Sequence, residues 1–434
     1  MSYAPIRSEI TRNHQEYTHL ETTVLSPKSS KPSTRLRRKR SLSARPPKKG
    51  VVSDYPIIVH SHLCWDWVWQ RPQQFISRLS RRHKILFVET VAPDPELATG
   101  LARFRKPPEL PNLTLLRLQF PAWRWSDGEY VDRERRRLVR EFLAGPGAGE
   151  FEDPVQWFYD PMAVTAFAGH MEEILTVYDC MDELSKFRFA PPEILRRELE
   201  LLARAEVVFT GGRKLFENKS QFHDNCHFYG CGVDDAHFGQ ARTPGTAAHA
   251  DLAGIPKPIL GYFGVIDERM DYGLIAALAD ANPKWSVVMV GPVTKVDPKL
   301  LPQRANLHWL GQRAYAELPA LCKGFDLCLM PFALNEATEF INPTKALEYM
   351  ATARPIVSTA VTDVVRNFGA VVKIAESAAD FVARCQQALD QPDQGAIQRG
   401  LELVGENSWE SIVARLEEHI QEALLAKRST GVSA

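Results

Sequence analysis

From Pro56 onward, short apolar runs alternate with longer segments whose apolar positions recur every three or four residues. PIIVHS (56–61) reads as a strand, and RPQQFISRLSRR (71–82) as a helix with Pro72 in its first turn and Phe75, Ile76 and Leu79 on one face. KILFVET (84–90), LTLLRLQF, VQWFYD (155–160), ILTVYD (174–179) and EVVFTG (206–211) are further strands. DRERRRLVREFL, AVTAFAGH, PPEILRRELELLARA and RKLFENKSQF supply helices between or after them. A stretch of low hydrophobicity, GQARTPGTAAHADLAG (239–254), reads as a linker. The alternation then restarts with strands PILGYFG (258–264), WSVVMVG (285–291), NLHWLG (306–311) and DLCLMPF (326–332), between helices YGLIAALADAN and AYAELPALCKGF. Apolar strands with helical crossovers predict an α/β chain with parallel sheets, in two Rossmann-like blocks. A last amphipathic helix, SWESIVARLEEHIQEALL (408–425), places Ile412, Leu416, Ile420 and Leu424 four apart, to cap the second block or cross back to the first.

The 434 residues are enough for two or three domains, and 44% of them are apolar, enough for sizeable cores. No apolar run reaches the length of a membrane span, and residues 1–12 lack the apolar core of a signal peptide. Seven scattered cysteines without a Cys-x-x-Cys pair point to reduced thiols and a cytoplasmic location. The net charge of zero hides an asymmetry: residues 1–50 hold twelve Lys/Arg against Glu9, Glu16 and Glu21, a net of +9, which leaves −9 for the rest. That segment has too few large apolar residues to build a core, so a disordered basic tail is expected. It is read first as a solubilising tail, and second as a peripheral tether to anionic lipid, worth about 1 kcal/mol per basic residue near the surface. Nucleic acid is not an expected partner of the acidic body.

In open parallel sheets, ligands bind beyond the carboxyl ends of the strands. One such end runs into FINPTKALEYMATARPIVST (340–359). Asn342 can cap a helix whose first turn tolerates Pro343, and Lys345 sets a full positive charge beside the free amides. Glu348 lies three residues on, along the same face. Lysine and amides can hold a diphosphate while the carboxylate accepts ribose hydroxyls; the plainer reading is a surface Lys–Glu pair. After the first strand, Trp65, Trp67 and Trp69 surround Asp66. Such indoles either stack on a sugar ring or pack under a loop. Arg71 either meets a phosphate or caps a carbonyl, and Asp66 or His62 is placed to serve as an acceptor's general base. Asp179 and Asp182 in YDCMDE read as helix caps or acceptor contacts rather than a metal site. The twelve histidines show no ligand spacing, so no metal is expected. No Gly-x-Gly-x-x-Gly follows a strand, which disfavours a dehydrogenase.

NPTKALEYMATARPIVST resembles the donor-binding segment of GT-B glycosyltransferases, particularly the glycosyltransferase family 4 type (glycosyl transferases group 1). Glu348, Tyr349, Met350, Ala351, Pro355, Ile356 and Val357 carry the likeness. CGVDDAHF, ILGYFGVIDER, VVMVGP and NLHWLGQRAYAELPALCKGFDLCLMPF follow in the family's order. WVWQRPQQFISRLSRRHKILFVE and VYDCMDELSKF resemble a bacterial cell-surface polysaccharide subgroup. The resemblance implies the GT-B arrangement of two facing Rossmann-like domains: a tail at 1–50, an acceptor domain at 51–240, a nucleotide-sugar donor domain at 241–407, and a crossover helix at 408–428. It also implies a nucleotide-sugar donor, a carbohydrate or lipid-linked acceptor, retention of configuration and no obligatory cofactor or metal. Gly264, Arg269, Asn342, Pro343, Thr344, Lys345 and Glu348 would bind the donor, and Trp65, Trp67, Arg71, Asp179 and Asp182 the acceptor. Lys345 and Arg269 would stabilise the leaving diphosphate, with Asp66 or His62 at the acceptor. One departure stands out: the first Glu of the family's pair falls at Phe340. The expectation is a cytoplasmic, membrane-associated or free, glycosyltransferase; the rivals are a catalytically silent homologue and a nucleotide-sugar epimerase or hydrolase.

Overall fold

The computed structural model describes residues 23–24, 55–187, 190–336, 338–339, 341 and 344–431. Most of the basic segment 1–50, along with Phe340, Asn342 and Pro343, therefore lies outside the described residues. The chain divides into two compact units that are not contiguous in sequence: residues 65–78 with 178–416, and residues 79–177 with the flanking segments 19–64 and 417–434.

In the second of these units the strands follow the order Thr23–Val24, Leu101–Arg105, Leu113–Gln119, Ile85–Thr90, Ile57–Ser61, Val155–Phe158. Ile57–Ser61 pairs in parallel with Ile85–Thr90 on one side and Val155–Phe158 on the other. Both Ile57–Ser61 and Val155–Phe158 are buried throughout, as expected of strands covered on both faces. The parallel expectation fails at one edge. Leu101–Arg105, read from sequence as part of a Pro-rich loop, is a strand antiparallel to Leu113–Gln119. It alternates charge and buries only Ala102, so it carries no apolar run to announce it. The charged helix is Gly128–Ala144, capped by Asp127, whose carboxylate accepts from the Tyr130 amide at 3.0 Å.

The first unit holds a wholly parallel sheet in the order Leu307–Gly311, Ser286–Val290, Ile259–Phe263, Leu327–Met330, Ile356–Thr359, Lys373–Ala375. Ile259–Phe263 and Ser286–Val290 are buried end to end. The core around them takes in Leu274 and Leu278 of helix Tyr272–Ala281, Leu321 of Leu318–Gly324, and Ala346, Leu347 and Tyr349 of Lys345–Ala351. Three helices absent from the sequence reading complete this unit: Thr362–Phe368, Ala378–Asp390 and Gln394–Glu406. The stretch read as a linker, 239–254, has Ala241 and Leu252 buried and the His249 amide bonded to the Ala320 carbonyl at 3.0 Å. The last helix runs Trp409–Gly431, past both the periodic stretch 408–425 and the expected helix 408–428. Among the described residues, no helix is long and apolar enough to cross a membrane.

Candidate functional site

At the carboxyl ends of the first unit's strands lies a pocket whose lining comes entirely from that unit. Lys345, Glu348 and Thr344 form one wall, Tyr262, Val265 and Arg269 a second, and Trp69, Arg71 and Gln74 a third, with Asp182, Gly211, Cys231 and Trp409 between them. Of the residues expected at a donor site, Arg269, Thr344, Lys345 and Glu348 thus come together. Asn342 and Pro343 lie outside the described residues.

Gly264 is placed by backbone geometry. Strand Ile259–Phe263 ends where the Gly264 amide bonds the Val290 carbonyl at 2.9 Å, and the chain turns there at φ +145°. A Cβ on Gly264 would come within 2.8 Å of Lys345 Cε. The positive φ strains any residue with a Cβ, and glycine also leaves the lysine stem its close passage. The Lys345 ammonium then lies 5.8 Å from the centre of the Phe263 ring.

Glu348 is 5% exposed, and its Oε2 has no hydrogen-bond partner. Burial raises its carboxyl above the usual range, and the Lys345 charge works in the opposite direction. An unmatched carboxylate oxygen inside a protein costs about 1–3 kcal/mol unless something donates to it, so this geometry is poised to accept from a ligand. Thr344, at the head of the helix, donates from Oγ1 to Cys231 Sγ at 3.1 Å rather than capping the helix. The helix has only seven residues. Its dipole is therefore short, and the formal charge of Lys345 is the larger attraction for an anion.

Arg269 is held by Asp267, with Nε 3.0 Å from Oδ1 and Nη2 2.9 Å from Oδ2. This pairing fixes the guanidinium plane and raises its proton affinity. Arg269 and Lys295 both approach the Phe187 ring, at 5.8 and 4.2 Å.

The acceptor-side expectations meet a different arrangement. Arg71 and Asp179 bind each other: Nε to Oδ1 is 3.0 Å and Nη2 to Oδ1 is 2.9 Å, with side-chain exposures of 3% and 0%. Arg71 Nη1 also donates to the Tyr229 carbonyl at 2.7 Å, the carbonyl-capping reading of this residue. Asp179, with no exposed surface, positions Arg71 and does not present a carboxylate to a ligand. Asp182 lines the pocket. Trp65 is buried edge-on to Trp69 at 5.7 Å, a packing role, while Trp69 reaches the pocket and lies 5.8 Å from Tyr315. Trp67 is half-buried and Asp66 exposed, and neither lines the pocket. His62 belongs to the other unit, where its Nδ1 lies 3.1 Å from the Tyr159 carbonyl oxygen. Sequence reasoning did not single out Tyr262, Gln74, Cys231 or Trp409. All four sit inside quoted stretches, but nothing local marks them as pocket residues. Among the described residues, no group of three His, Cys, Asp or Glu side chains could hold a metal ion.

Parts of the chain resemble known proteins in sequence, and the fold resembles solved structures. The family model described as glycosyl transferases group 1 matches residues 257–391. A Bacillus subtilis (strain 168) protein named as a teichuronic acid biosynthesis glycosyltransferase, TuaH, is 24% identical over 236 residues, which are 50% of this chain and 58% of that relative. The chain thus spans little more than half the length of that relative. Sucrose-phosphate synthase from Thermosynechococcus elongatus superposes with a TM-score of 0.64 at 15% identity, covering 86% of this chain and 100% of that one. A UDP-forming trehalose-phosphate synthase from Burkholderia xenovorans, in complex with glucose-6-phosphate, gives 0.62 at 13% identity, covering 85% and 100%. Anabaena HepE in complex with UDP and glucose gives 0.60 at 13% identity, covering 84% and 99%. The chain has the GT-B fold of these structures, and its residues 257–391, which supply Tyr262, Arg269, Lys345 and Glu348 to the pocket, match the group 1 glycosyl transferase model.

Proposed function

We propose that this protein is a glycosyltransferase that moves a sugar from a nucleotide-diphosphate donor to a carbohydrate or lipid-linked acceptor in polysaccharide synthesis. The observation that carries the reading is the Lys345–Glu348 pair: a cation and a buried carboxylate with an unmatched oxygen, side by side in one pocket. Lys345 would neutralise the diphosphate and Glu348 would accept the ribose hydroxyls. Arg269, its plane fixed by Asp267, would take a second phosphate oxygen. As the bond from sugar to phosphate breaks, negative charge grows on the diphosphate, and fixed cations stabilise that state more than the bound donor. The reading assigns this task to side chains and gives no role to a metal or cofactor. UDP is the nucleotide to try first, since a UDP-forming trehalose-phosphate synthase and HepE in complex with UDP share this fold. The teichuronic acid relative supports a cell-surface polymer as product. Retention, and peripheral membrane contact through segment 1–50, extend the same proposal.

Calorimetry with UDP, GDP, ADP and TDP, on wild type and Lys345→Ala, tests it. One nucleotide should bind, and the substitution should weaken it at least tenfold, about 1.4 kcal/mol. Absence of binding to all four by a folded wild type would overturn the donor reading. Nucleotide binding without sugar transfer to any acceptor would favour the silent homologue.

A further inference from the structure

A second cavity opens on the other side of helix Lys345–Ala351. Met350 lines it, whereas Lys345 and Glu348 line the donor pocket. Its floor comes from strand Lys373–Ala375, and its far wall from helices Ala378–Asp390 and Gln394–Glu406. The wall is apolar at Met350, Ile374 and Ala396, and cationic at Arg354, Lys373 and Arg384.

The charges do not cancel. Asp393 is the only carboxylate in the lining, and its Oδ1 already accepts from the Ala396 amide at 2.9 Å as the cap of helix Gln394–Glu406. Arg384 is tied to Asp380 at 3.2 Å. The Lys373 side chain is half-buried and forms no hydrogen bond or salt bridge among the described residues; Asp393 reaches it only through space. Arg354 donates from Nη2 to the Lys323 carbonyl at 2.9 Å, while its buried Nε has no partner. The turn that brings Arg354 here passes through Ala353 at φ +56°. That left-handed conformation costs a residue with a Cβ about 1 kcal/mol or more, and such strain is retained where the surroundings impose it. Concave apolar walls with a few convergent polar groups are the make-up of small-molecule sites.

We propose that this cavity binds a small organic anion, with its apolar body against Met350, Ile374 and Ala396 and its phosphate or carboxylate against Lys373 and the Arg384 side. The site is separate from the donor pocket and does not depend on what that pocket binds.

Phenyl phosphate, benzoate and uncharged phenol are suitable probes, titrated by calorimetry into the full chain and into Lys373→Glu. Both anions should bind in a one-to-one complex, phenol at least tenfold more weakly, and Lys373→Glu should weaken the anions tenfold or more. Ala396→Leu, checked for folding by circular dichroism, should block all three by occupying the space. Equal binding of phenol and the anions, or anion binding unchanged in Lys373→Glu, would overturn the assignment. So would a wild type that binds none of the probes at millimolar concentration. Preference for phosphate over carboxylate, or the reverse, identifies the headgroup. None of these measurements involves a nucleotide, so failure here leaves the donor reading untouched, and the converse holds.

Discussion

His60 is buried at 1% exposure, stacked 4.6 Å from Phe158 and 4.1 Å from Phe167, with Nε2 2.7 Å from Gln156 Oε1. Burial pushes its pKa down to about 3, further than the Gln156 hydrogen bond can restore. At pH 7 the ring is neutral in both folded and unfolded chains. Below about pH 6.5 the unfolded chain takes up a proton that the folded chain refuses, so stability falls by about 1.4 kcal/mol per pH unit. The loss continues until the folded ring itself titrates near pH 3. Urea denaturation between pH 7 and pH 4 should show this slope, and His60→Leu should show a shallower one while being less stable at pH 7, where Gln156 loses its partner. Parallel slopes in the two proteins would refute the argument. At this scale the sequence was informative where chemistry is local. Lys345 and Glu348 share a helix face by spacing alone. The pairing of Arg71 with Asp179 spans 108 positions, and no local pattern announces it.

Elements were legible in proportion to their burial. PILGYF and SVVMV are continuous apolar runs, and both are core strands. Cys226–Phe228 and Lys373–Ala375 span three residues each, too short for any periodicity to register. Helix Ala378–Asp390 buries Phe381, Cys385 and Ala388, a correctly spaced face in which two of three members are small and weakly hydrophobic. What joins the elements can be tested at two places. Arg71 opens helix Arg71–Leu79 and is held there by Asp179. Asp179→Asn would strand a buried guanidinium and should lower stability by about 3–5 kcal/mol, read as a shift in the urea midpoint. A change below about 1 kcal/mol would mean that water reaches Arg71. At the ends of two neighbouring strands, Gly291 adopts φ +148°, and a Cβ there would lie 1.8 Å from the Gly264 carbonyl oxygen. Gly291→Ala should therefore cost about 3 kcal/mol or more. Gly245→Ala, where an added Cβ meets nothing within 4 Å, should be within about 0.5 kcal/mol of wild type. Equal effects at the two glycines would show that the turn can relax.

At the scale of the whole chain, the alternating pattern was enough to give two α/β blocks, but not the residues that make up each compact unit. Segments 65–78 and 417–434 each group with residues far away in sequence, and hydrophobic periodicity reports a buried face without saying what buries it. The last helix shows this directly. Its four-residue spacing correctly marked Ile420 and Leu424, which are 0% and 2% exposed. The polar anchor between the apolar positions went unread. Glu417, 5% exposed, accepts from His83 Nε2 at 3.0 Å and also pairs with Arg82. Ending the chain after Leu416 would remove two fully buried aliphatic side chains, worth about 1.5–3 kcal/mol each, and leave His83 without its carboxylate. Set against a total stability of about 5–15 kcal/mol for a typical domain, that loss should lower the melting temperature of the unit containing residues 79–177 and open it to proteolysis. Glu417→Gln keeps both aliphatic side chains and can still bond the His83 ring, so it should retain most of the stability that truncation removes. If truncation and Glu417→Gln melt alike, the ion pair outweighs the apolar face. If truncation melts like wild type, the helix beyond Leu416 does not stabilise this unit at all.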